Sequence, residues 1–173
     1  MKKLVLYTSL IALVVSGCAT VQSIIKSTFP YTTTVNILAG AKADATQSVS
    51  STASSIDQVF GNTSGTDYIK DVRVVSVKLD ASNPQNQSLG IFKSVKVFLR
   101  SSSGAEVMIA SRNDIMANIG NNLVLDVDNS RFVDEYIKGN DLRIRMEYVL
   151  RNNLTSDVSV RAAINFSSTP NTK

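Results

Sequence analysis

Alternation of apolar and polar residues dominates the C-terminal part of the chain. Leu142, Ile144, Met146, Tyr148 and Leu150 alternate with Arg143, Arg145, Glu147, Val149 and Arg151. Val158, Val160, Ala162, Ile164 and Phe166 then alternate with Ser159, Arg161, Ala163 and Asn165. A period of two belongs to strands with one dry and one wet face, and such strands pair antiparallel. With residues 152–156 between them, the two segments predict a hairpin. In it Arg151 would face Asp157, and Glu147 would face Arg161, each opposite-charge pair contributing up to about 1 kcal/mol.

Upstream segments follow the same period. Residues 31–39 are β-branched and alternate, predicting a strand. In 68–79, Val72 and Val74 share one parity and Val75, Val77 and Leu79 the other, a switch that a β-bulge or a change of sheet produces. Asp80 to Ser88 is a polar turn centred on Asn83-Pro84. In 91–100, Val95, Val97 and Leu99 take one face and Lys96 and Arg100 the other. Phe92 and Phe98 share the Lys96 parity, so they are either an aromatic contact surface or part of a strand covered on both faces. Ser101 to Gly104 turns the chain, Glu106 to Ala110 returns it, and residues 123–127 alternate again. Two short helices are expected. One spans 111–120 with Ile115, Met116 and Ile119 on a face. The other spans 130–138, capped by Asn129 or Ser130, with early Asp134 and Glu135 and a closing Gly139.

Residues 40–66 break the rhythm. Ser, Thr, Ala and Gly dominate, with Ile56, Val59 and Phe60 the only apolar cluster, so the segment reads as a long Ser/Thr-rich connection. Many short strands without a long helix predict an all-β fold. The expected form is an antiparallel β-sandwich of immunoglobulin or fibronectin type with one or two short helices, a small β-barrel being the alternative. The 173 residues suit one domain. Its expected limits are 31–167, with 168–173 a polar tail.

The first residues differ in kind. Lys2-Lys3, the apolar stretch Leu4–Val15 and the small residues before Cys18 describe a secretory signal. Val15-Ser16-Gly17-Cys18 resembles the lipobox of bacterial lipoproteins. The resemblance covers residues 1–19 and implies cleavage after Gly17 and lipidation of Cys18. Residues 1–17 would be the signal peptide and 18–30 a lipidated tether ending at Phe29-Pro30. Several acyl chains on one cysteine give stable anchoring. Ala19 where an inner-membrane retention signal would place Asp implies an outer-membrane address. No acid lies in 19–26, which favours the periplasmic face over the cell surface. No specific family is recognised for the mature domain.

Charge and composition then narrow the chemistry. Formal net charge is +4, and it falls to +2 without Lys2 and Lys3, too little to imply nucleic acid. The chain has no His, which excludes Ser-His-Asp and Cys-His arrangements and His-ligated zinc. Asp126 and Asp128, near Asn121, Asn122 and Asn129, are weak candidates for a Ca²⁺ site, but their spacing fits no EF-hand. Asp134 and Glu135 diverge on a helix, Glu147 has a partner in Arg161, and Lys78 and Lys96 point outward. No carboxylate pair or Ser-Lys dyad is therefore expected, nor any cofactor. Arg143, Arg145, Arg151 and Arg161 could together meet an anionic partner. The function expected is a non-enzymatic, outer-membrane-anchored lipoprotein that binds or scaffolds another envelope protein. Phe92, Phe98, Arg143 and Arg145 are its candidate contacts. The alternative is a module binding glycan, peptidoglycan or lipid, against which stand the absence of Trp and an aromatic content of 6%.

Overall fold

Two antiparallel sheets face one another across one apolar core. The computed structural model describes residues 28–60, 65–139 and 141–171. The expected signal peptide, the lipobox-like residues with Cys18 and the expected tether up to residue 27 lie outside the described residues. The strands are β1 (Phe29–Ile37), β2 (Thr46–Ser50), β3 (Ile69–Asn83), β4 (Phe92–Arg100), β5 (Glu106–Arg112), β6 (Asn122–Val124), β7 (Asp126–Val127), β8 (Arg143–Leu150) and β9 (Val158–Pro170). One sheet has the order β1-β9-β3-β6 and the other β2-β8-β4-β5-β7. The expected sandwich is present, and neither sheet closes into a barrel. Consecutive strands, short ones included, mostly alternate between the sheets, the wrapped strand order of a jelly roll.

The terminal alternation has the faces expected of it but not the pairing. Leu142, Ile144, Met146 and Leu150 are buried, as are Val158, Val160, Ile164 and Phe166. Yet β8 pairs with β2 and β4, and β9 with β1 and β3. The link between them is a corner that crosses the core. Inward-facing residues alternate in the same way whether two strands lie side by side or face to face, and here they face. The predicted partners are accordingly elsewhere. Arg161 reaches Asp80 at 3.4 Å, and Glu147 meets Lys96 at 3.3 Å. Asp157 accepts a hydrogen bond from the Ala39 amide at 2.8 Å. Arg151, expected on the wet face, instead donates to the carbonyls of Gly90 and Ile115 at 3.2 and 2.5 Å.

Bulges explain the changes of parity in β3 and β4. Strand β3 carries three register shifts against β9, between Lys70 and Arg73, Val74 and Ser76, and Ala81 and Asn83. Asp71 sits at the first with φ +54°, a left-handed conformation that Asp tolerates better than most residues. Its carboxylate accepts from Thr169 Oγ1 at 2.8 Å. The second shift places Val75 outside, so that Val72 and Val74 before it and Val77 and Leu79 after it are all buried. Strand β4 has its own shift between Phe92 and Ser94. The carbonyl of the extra residue, Lys93, accepts from the Ile115 amide at 3.1 Å.

Several expected elements change. The 40–66 connection contains β2, an edge strand with one apolar residue, Val49, in five. Within the connection Ile56 is buried and Val59 exposed. No helix forms in 111–120, where β5 extends to Arg112 and a turn follows; Ile115 is buried and Met116 exposed. The second helix contracts to α1 (Asp134–Ile137), preceded by Val133 without a side-chain cap. The alternating run 123–127 is split, because the chain leaves one sheet at Val124 and joins the other at Asp126. Strand β1 starts at Phe29, within the expected tether, and β9 runs on to Pro170, which takes up half of the expected 168–173 tail.

Full burial of Phe92, Phe166, Ile37, Leu79 and Leu99 anchors the core, each side chain contributing about 1.5–3 kcal/mol. Phe29 stacks on Phe166 with centroids 5.4 Å apart and meets Phe60 edge-on at 4.9 Å. That aromatic group packs around the first residue of β1.

Candidate functional site

The four residues expected to form a contact surface divide. The bulge at Lys93 turns Phe92 inward, where it is fully buried and meets the Tyr148 ring edge-on at 5.7 Å. Phe92 is core and no contact residue. Phe98 stays on the outer face of the five-stranded sheet, half-buried beneath the Arg145 guanidinium, 4.0 Å from the ring centroid. Register explains this contact, since Phe98 on β4 lies directly opposite Arg145 on β8.

Arg145 is the hub of that face. Its Nε donates to both Glu106 oxygens at 3.0 Å, and its Nη1 reaches Glu147 at 3.4 Å. The hydrogen bonds to Glu106 raise its pKa further above the ordinary guanidinium value. Lys96 joins through Glu147 at 3.3 Å. Arg145 is therefore occupied within the sheet, fixing the Phe98 ring below it, and Arg143 beside it is half-exposed. The terminal arginines do not form one patch, since Arg143 and Arg145 lie on one sheet, Arg161 on the other, and Arg151 is bound to backbone.

The acidic candidates are similarly committed. Asp126 lies 3.2 Å from Arg112. Asp128 accepts from the amide and hydroxyl of Ser130 at 3.1 and 2.6 Å, which lowers its pKa. Their carboxylates thus engage different partners. Among the described residues, no group of three or more acidic, His or Cys side chains converges.

The sides of the sandwich offer a contrast that the sequence concealed. On one side the edges are β6 and β7, of three and two residues, joined by Leu125, whose amide donates to the Val77 carbonyl at 3.0 Å. On the other side the edges are β1, of nine residues, and β2, of five. Among the described residues each of these has a strand partner on one side only, β9 and β8 respectively. Neither strand contains a charged residue. Protein sheets ordinarily protect their edges by shortness, charge or bulges. The β6–β7 side has the first of these, while on the β1–β2 side, among the described residues, Pro30 and the Tyr31–Ser54 contact protect only the start of β1.

A cleft of about 330 Å³ opens along this second side, lined by Asn36, Leu38, Ala39, Gln47, Ser48 and Tyr148 among others. Leu38 is 67% exposed at its rim. At the other end of β1 the side is closed by Tyr31, whose hydroxyl hydrogen-bonds Ser54 Oγ at 2.5 Å. Burial raises the pKa of both Tyr31 and Tyr148. The signal that could have revealed this side was the uncharged run Phe29–Ile37. What concealed it was β2, whose composition is that of a loop.

No protein-family model matches the chain, and no curated protein matches it. Among solved structures it is similar to the cyanophage Pam1 capsid asymmetric unit, at 11% identity over 83% of this chain and 86% of that one, with TM-score 0.42. It is similar also to the module CBM32-3 from a family 31 glycoside hydrolase of Clostridium perfringens (10% identity, 79% and 75% covered, TM-score 0.34). A third likeness is to Turnip Yellow Mosaic Virus (10%, 85% and 97%, TM-score 0.26). Identities and scores this low carry no inference about ligand or role.

Proposed function

We propose that this protein is a non-enzymatic lipoprotein, anchored through Cys18 to the periplasmic face of an outer membrane, whose sandwich binds or scaffolds another cell-envelope protein. The observation that carries the binding role is the unprotected β1–β2 side. Among the described residues an uncharged strand of nine residues has no strand on its outer side, an edge that an extended segment of a partner can continue. Alternate side chains of that segment would enter the adjoining cleft.

The proposed anchoring fits the same reading. Strand β1 begins eleven residues after Cys18, a distance that spans no more than about 40 Å when fully extended. A lipid on Cys18 would hold the β1 edge close to the membrane and raise its local concentration toward partners there.

Expression of the full chain and a Cys18→Ser variant in a Gram-negative host tests both parts. The wild type should incorporate a labelled fatty acid, and crosslinking of intact cells should recover one dominant envelope protein. The variant should lose both. Incorporation of label into Cys18→Ser would remove the anchor, and recovery of the anchored protein alone would remove the partner.

A further inference from the structure

Arg100, the last residue of β4, and Arg143, the first of β8, stand directly opposite each other in the sheet. Cross-strand neighbours have Cβ atoms about 4.5–5.5 Å apart, and like charges so placed repel. The surrounding carboxylates only partly offset this. Arg143 donates its Nε to Asp141 at 2.8 Å, leaving the outer edge of the guanidinium. Arg100 lies 3.8 Å from Glu106, outside hydrogen-bonding distance, because Glu106 is taken by both nitrogens of the Arg145 fork. Both arginine side chains are a little under half exposed.

Beside them is a polar pocket of about 240 Å³, lined by Ser50, Ser102, Gly104 and Asp141 as well as the two arginines. The turn that forms one wall is fixed by Gly104, at φ +84°, and by its amide donating to the Ser101 carbonyl at 3.0 Å. Ser101 Oγ is hydrogen-bonded to Ser103 Oγ at 2.8 Å, so the wall is held in place by its own side chains.

We propose that this pocket binds the phosphate group of a phosphomonoester. A planar carboxylate is satisfied by a single fork, as Glu106 is by Arg145. A tetrahedral phosphate has three terminal oxygens, enough for two forks from neighbouring strands and a serine hydroxyl from Ser50 or Ser102. Asp141 sets a limit on the charge gained, since it is the one carboxylate in the lining. The pocket shares no lining residue with the β1–β2 cleft, although its Ser50 ends β2, and it does not depend on the partner proposed there.

The test uses the full chain in a non-ionic detergent, titrated with inorganic phosphate and then glycerol 3-phosphate at constant ionic strength, with thermal stability as readout. A saturable rise in Tm is expected for the wild type and for Arg112→Gln, a surface control outside the pocket. Arg100→Gln and Arg143→Gln should weaken the apparent affinity at least tenfold, and Arg143→Lys, which keeps charge but loses the fork, should fall between. Circular dichroism establishes that each variant is folded. An equal response in all variants, or an equal response to chloride, would overturn the site, since both mean general screening. Vesicles containing phosphatidic acid identify the source of the phosphate. Flotation of the wild type, competed by glycerol 3-phosphate and lost in Arg143→Gln, assigns a lipid headgroup, whereas binding of glycerol 3-phosphate without flotation assigns a soluble ligand.

Discussion

Replacing Phe92 and Phe98 separately by Ala tests whether one bulge decides which of two aromatic residues belongs to the core. Both residues occupy even positions of β4, and an unbroken strand would put them on the same face. The shift at Lys93 sends Phe92 inward to 0% exposure, against Tyr148, and leaves Phe98 outside under Arg145. Truncation of a fully buried Phe loses its transfer free energy and leaves a cavity, together about 3–5 kcal/mol. Phe98→Ala loses part of a half-buried ring and a cation–π contact of about 0.5–1 kcal/mol, so about 1 kcal/mol in total. Against a domain stability of about 5–15 kcal/mol, Phe92→Ala should lower the urea midpoint severely and Phe98→Ala modestly, with little change in slope. A loss below about 1 kcal/mol for Phe92→Ala, or a larger loss for Phe98→Ala, would refute the assignment.

Three further outcomes follow from the packing. A double-mutant cycle on Glu147 and Arg161 should give a coupling near zero, since the two lie on opposite sheets, whereas Asp80 with Arg161 should couple by about 0.2–1 kcal/mol. Gly90→Ala should destabilise by about 1–3 kcal/mol in urea unfolding, because an added Cβ would lie 2.0 Å from the Ala117 carbonyl oxygen. Stability should fall as pH rises past about 10, the ordinary tyrosine value. Burial raises the folded-state pKa of Tyr31 and Tyr148, so above that pH the unfolded chain binds fewer protons and unfolding is favoured. Calorimetry on the alkaline side should show this, with a weaker dependence in Tyr148→Phe.

Which residues of the regular strands are buried was largely legible in the sequence, whereas Phe92, Val59 and Met116 were not. The inward sets of β8 and β9 follow from alternation alone, and the parity switch in 68–79 located a bulge correctly. Pairing was not legible, because alternation records which face is dry and not which strand lies beside it. The corner at 151–157 therefore has the same sequence pattern as a hairpin. Phe92 was misplaced because a bulge involving one residue, Lys93, leaves no compositional mark where the extra residue is itself polar. The open β1–β2 side was hidden for the opposite reason. Strand β2 is built of Thr, Gln, Ser and Val, held by backbone pairing to β8, and its side chains give little sign of a strand. The candidate site is therefore a property of strand edges, which no single residue announces.

Photo-crosslinking residues placed along the two sides of the sandwich test the proposed role most directly. A crosslinker at Thr34 on β1 or Ser48 on β2, in the full chain expressed in intact Gram-negative cells, should capture the same envelope protein. One at Asn122 on β6 should not, and Cys18→Ser should abolish the capture. Crosslinks of equal strength from Asn122, or a partner captured from neither β1 nor β2, would contradict docking on the β1–β2 side.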